Sequence, residues 1–142
     1  MKKRGALELS FGMIFSIILI IVFLAFGFYA IMKFIDLQNS IQIENFLRDF
    51  QNDVDKMWKS SQGSQNLVYS LPNKISAVCF KNDEFQNLEF ISKEIIKGKM
   101  IEHIDIEKIT EDENPYCIQN VKGKISLTIL KDYGETLVRV ER

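Results

Sequence analysis

Phe11 to Met32 is a run of 22 residues without one charged side chain, and no other feature of this sequence restricts the fold so strongly. At 1.5 Å per residue, a helix of that length spans about 33 Å, against roughly 30 Å for the hydrocarbon core of a bilayer. Ile17, Ile18, Ile20 and Ile21 favour strand in water. Lipid, however, offers the backbone no hydrogen-bond partners, so a spanning segment closes its own bonds as a helix. The flanks set the orientation. Lys2, Lys3 and Arg4 precede the run, while Lys33 is offset by Asp36 after it. The positive-inside rule therefore keeps the N-terminus cytoplasmic and sends residues beyond about 35 outward as a single-pass protein of the cell membrane.

Averages over the 142 residues conceal this division. The chain is 46% apolar and 26% charged, with net charge −1. Those values exclude a collagen-like, low-complexity or strongly charged disordered chain. With 18 Lys and Arg against 19 Asp and Glu, nothing points to a nucleic acid as partner. The partner implied first is membrane lipid.

Three processing states fit the N-terminus. The segment is an uncleaved anchor, or a secretory signal cut near Ala25-Phe26-Gly27, or a helix retained after a cut ahead of the apolar run, between Gly5 and Ala6. Lys3-Arg4-Gly5-Ala6-Leu7-Glu8-Leu9-Ser10, running into Phe11-Gly12-Met13-Ile14-Phe15, resembles the leader junction of archaeal type IV pilin-like proteins, the class III signal peptide family. The resemblance implies that residues 1–5 are a cytoplasmic leader. A prepilin peptidase-like enzyme then cuts after Gly5, and Ala6 becomes the new N-terminus. It also implies that Glu8 is the near-terminal carboxylate used in assembly. Glu8 would be the third mature residue, where the family usually has glutamate at the fifth. Read without the resemblance, Glu8 is a carboxylate in the headgroup layer near a helix N-terminus, where negative charge is favoured.

Gly12 and Ser16 form a small-xxx-small pair, a spacing that lets two membrane helices approach closely and self-associate. Beyond the membrane the pattern turns amphipathic. Ile43, Phe46, Leu47, Phe50, Val54, Met57 and Trp58 recur at three- and four-residue spacings, with charged and amide side chains between them. No Pro or Gly interrupts Tyr29 to Gln62, so one helix is expected from about residue 7 to 60. Residues 6–35 form its membrane part and 36–62 its amphipathic extension. Phe50 and Trp58 are expected in the core, since buried aromatic area is what a small domain needs.

Residues 63–142 carry β signals. Asn66–Leu71, Lys74–Lys81 and Leu88–Ile91 read as strands, with Asn82-Asp83 as a turn. Ser92–Gly98 suits a helical turn capped by Ser92, and Met100–Ile106 a further strand. Thr110–Asn114, ahead of Pro115, is a solvated loop. Lys124–Leu130 and Thr136–Val140, alternating on both sides of a turn that contains Gly134, form a terminal hairpin. The expected fold class is α+β: a long N-terminal helix packed on a small, mainly antiparallel β domain.

Cys79 and Cys117 form a disulfide if the domain is exported, or two buried thiols if it is cytosolic; the predicted export favours the disulfide. A metal site needs more ligands than two cysteines and the single histidine provide. His103, beside Glu102, reads as a surface residue. Glu111-Asp112-Glu113 lacks the alternating ligand spacing of a calcium loop. No catalytic motif or cofactor-binding pattern is present, so the sequence points away from an enzyme. Two functions remain: a pilin-like structural subunit of a surface filament or related envelope assembly, and an uncleaved single-pass membrane protein whose ectodomain binds a partner.

Overall fold

The computed structural model describes residues 10–142. Helix α1 runs Phe11–Lys59, followed by strands β1 (Gly63–Ser70), β2 (Ile75–Phe80) and β3 (Leu88–Ser92). A single helical turn, α2 (Ile106–Ile109), precedes β4 (Tyr116–Gln119), β5 (Lys124–Lys131) and β6 (Arg139–Glu141). The chain divides into two compact units, with the boundary after Gln38. The second unit, Asn39–Arg142, holds the last part of α1 and every strand. The fold is α+β, with all strand pairs antiparallel.

Two three-stranded sheets, ordered β1-β5-β6 and β3-β2-β4, enclose the core with the helix. Phe46, Phe50, Val54 and Met57 recur every three or four residues and are the buried residues of α1, as the helical period requires. The two phenylalanine rings join the helix to both sheets. Phe46 meets Tyr69 of β1 at 5.2 Å between centroids and Phe90 of β3 at 6.0 Å. Phe50 meets Tyr69 at 6.0 Å and Phe80 of β2 at 5.8 Å. Edge-on and tilted rings at these distances pack favourably as well as exclude water. In β5, Ile125, Leu127, Ile129 and Lys131 are buried on one face. The Lys131 ammonium donates to the carbonyls of Trp58 (2.7 Å) and Ser60 (2.8 Å). It thereby satisfies acceptors that the helix C-terminus leaves open.

The structure differs from the sequence expectation at four places. Trp58 is not in the core: it is 37% exposed, because Met57 takes the inward position and the next residue lies about 100° further round the helix. Met100–Ile106 is not a strand. His103 has φ +66°, which ends any extended run, and the Asn87 side chain takes the Ile101 N–H (2.7 Å) and C=O (2.8 Å) that a neighbouring strand would have bonded. Ser92–Gly98 has no helical turn. Its last residue is pressed against β3, and a Cβ on Gly98 would lie 2.4 Å from the Leu88 carbonyl oxygen. Finally, β4 was not expected. It pairs with β2, and the turn after it, closed by the Val121–Lys124 bridge, has positive φ at both Lys122 and Gly123, 52° and 78°, the type I′ pattern.

Candidate functional site

The apolar stretch of α1 is the first candidate. The helix is long and apolar enough to cross a membrane, and none of the residues in its most apolar window is buried. The core helix of a soluble protein is mostly buried, whereas this window is exposed among the described residues. Ser10 caps it, its hydroxyl accepting from Met13 N–H at 3.4 Å and its carbonyl at 2.9 Å. Gly12 and Ser16 lie one turn apart, and the Ser16 hydroxyl donates to the Gly12 carbonyl at 2.8 Å. The hydroxyl is thus satisfied within its own helix, leaving a shallow surface rather than a free donor. Gly27 adds an open position, with no heavy atom within 4 Å of where a Cβ would sit. Gly5, Ala6 and Glu8 lie outside the described residues.

In the second unit the two cysteines are joined. Cys79 of β2 and Cys117 of β4 are register partners, with Cα atoms 4.0 Å apart and an S–S bond of 2.08 Å. The bond links the central strand of its sheet to an edge strand of only four residues. Cys79 is fully buried.

A second cluster joins α1 to the loop before α2. Gln51 accepts from Glu102 N–H at 2.9 Å and donates to the Glu102 carbonyl at 3.3 Å. One turn on, Asp55 meets His103 Nδ1 at 3.0 Å and accepts from Gln51 at 2.8 Å. The imidazole lies flat on the Trp58 indole, 3.7 Å between ring centroids. The bond from His103 holds the Asp55 carboxyl below its usual range, with Gln51 adding to it. Together these bonds fix the loop to the helix. Sequence reading missed the cluster because only the left-handed backbone at His103 turns the ring onto the helix.

Charges around the β5–β6 turn are mutually satisfied. Glu135 accepts from the Asp132 N–H (2.8 Å) and pairs with Lys108 (2.9 Å) and Arg139 (3.0 Å). Arg139 also pairs with Asp132. The backbone bond and then Lys108 draw the Glu135 carboxyl down to about 2. Beside it lies a groove of about 440 Å³ lined by Ile109, Tyr116, Val140 and charged side chains. Arg142 is occupied there, stacked on Tyr116 at 4.8 Å and paired with Glu113 at 2.8 Å. Among the described residues no three His, Cys, Asp or Glu side chains come together as a metal site.

These carboxylates give a pH prediction. Asp55 and Glu135 titrate lower folded than unfolded, so they stabilise the fold fully above the ordinary carboxylate range and lose that contribution as pH falls through their folded values. Urea midpoints of the full chain in detergent should be level above about pH 5 and fall steadily toward pH 2. Glu135→Gln should flatten the lower part of that fall, and an unchanged slope would remove Glu135 from the explanation.

Compared with protein-family models, with curated proteins and with solved structures, the chain matches none.

Proposed function

We propose that the chain is a pilin-like structural subunit of an archaeal surface filament or related envelope assembly, anchored by its N-terminal helix. The observation that carries this reading is the character of α1. Its first part is apolar and exposed among the described residues, and the same helix supplies Phe46, Phe50, Val54 and Met57 to the core of the second unit. A free apolar helix must be covered by lipid or by other helices. In this reading residues 1–5 are a leader, cleavage after Gly5 frees Ala6, and the helices of several copies bundle through surfaces that include Gly12 and Ser16. Glu8 is then neutralised by the α-amine of a neighbouring copy, because an unpaired carboxylate drawn into lipid is costly. The second unit lies outside the cell, where its cysteines oxidise.

N-terminal sequencing and intact mass of the membrane-associated protein test the proposal. The expected N-terminus is Ala6, and Gly5→Val is expected to retain the leader and prevent high-molecular-weight assemblies from sedimenting. An intact Met1 or Lys2 with no such assemblies would instead identify an uncleaved single-pass anchor with a partner-binding ectodomain.

A further inference from the structure

The strand registers sort the loops of the second unit into two opposite poles. Ser70 pairs with Lys124, Ile75 with Ser92 and Ala77 with Gln119. Residues 71–74 and 120–123, and the start of 93–98, therefore share one end. Phe80 pairs with Leu88 and with Tyr116, and Leu130 with Arg139, which puts 81–87, 110–115 and 132–138 at the other. The first group of loops, with 93–95, holds three lysines, Lys74, Lys93 and Lys122, and one carboxylate, Glu94, and the second holds seven carboxylates and one lysine. Glu94 is already paired with Lys74 at 3.0 Å. Lys93, Lys122 and Lys124 are exposed.

The lysine pole is also where α1 enters the unit. Gln42 and Asn45 share a groove with Val68 and Ser70, at the end of β1 that meets Lys124. Two apolar side chains project there: Ile95 is 104% exposed and Val121 64%. Phe85 and Tyr133 are as exposed on the acidic loops, where anionic headgroups would be repelled. Lysines interleaved with bare aliphatic side chains suit the boundary between anionic headgroups and acyl chains. We propose that this pole docks on the anionic lipid surface of the membrane holding the apolar helix. The proposal rests on reading α1 as a membrane anchor. With the chain tethered beside the surface, modest attraction suffices for docking.

The test uses the full chain in vesicles of neutral lipid, and of neutral lipid mixed with an anionic one, both carrying brominated acyl chains. Trp58 is the single tryptophan and sits near the opposite pole, one residue before the end of α1. It supplies the background signal. An indole introduced by Ile95→Trp is expected to be quenched by bromine in the anionic vesicles, and less so at high salt or in neutral ones. Lys93→Gln and Lys122→Gln should each lower the docked-to-undocked ratio about fivefold, while the chain still floats with vesicles of either kind. Flotation without quenching would overturn the docking and leave the anchor standing. Loss of flotation would overturn both. Carbodiimide crosslinks between copies without quenching would mean that the lysine pole meets the acidic pole of a second copy, which also overturns it.

Discussion

Phe50→Ala is expected to destabilise the second unit by about 3–5 kcal/mol, the range for removing a fully buried ring. Phe50 is 0% exposed and stands between Phe46 (5.8 Å), Tyr69 and Phe80. It therefore touches the helix, the β1 sheet and the β2 sheet together. No single neighbour can relax into the space without leaving one of the other two, so little of the cavity will close. A unit of this size has a total stability of roughly 5–15 kcal/mol, which makes the loss a large share of the whole. Trp58 fluorescence reads the transition well, because its indole is stacked on His103 only while the loop is in place. Urea unfolding of the full chain in detergent, followed at that signal, should show the midpoint fall with little change in slope. Phe50→Leu should lose much less, since most of the volume remains. A loss under about 1 kcal/mol for the alanine variant would show that the ring is not the join between the sheets.

What the sequence makes legible follows from periodicity, and what it hides follows from special backbone. Phe46, Phe50, Val54 and Met57 are visible as a stripe because a helix repeats on one face, and β5 is visible because its burial alternates along eight residues. Trp58 reads as core because composition ranks it with buried aromatics, whereas one helical step decides its place. The segment around His103 reads as a strand from Met100, Ile101, Ile104 and Ile106. Its two buried residues, Ile101 and Ile104, are three apart rather than two. Only the positive φ at His103 and the clamp of Asn87 explain how both reach the core. β4 is four residues long, too short to show alternation, and the turn beyond it depends on a left-handed lysine that no propensity suggests. The same limit governs the site. The apolar helix is plain in the sequence because membrane thickness sets a length. The two-poled charge pattern emerges only once strand register assigns each loop to an end.

Opening the disulfide is the second large effect expected. Cys79 and Cys117 are separated by 38 residues, and the loss of loop-closure entropy from the unfolded chain for such a loop corresponds to about 4 kcal/mol. The loop they close contains β3, α2 and the His103 segment, so reduction frees much of the second unit at once. Edge strand β4 should respond first. Among the described residues it pairs with β2 alone, over four residues, and the covalent bond sits within that short ladder. Reduced full chain and the double variant Cys79→Ala, Cys117→Ala should both show urea midpoints lowered by an amount worth about 3–4 kcal/mol. Their difference separates two causes. If chain constraint dominates, the two agree closely, because neither carries the cross-link. If packing of the buried Cys79 sulfur matters as well, the alanine variant falls further by about 1 kcal/mol, the usual scale for a small cavity. Hydrogen exchange at Tyr116–Gln119 should accelerate before that of β5, whose pairing runs over eight residues with β1. Exchange that rises equally in both strands would mean that the bond secures the whole unit rather than its weakest edge.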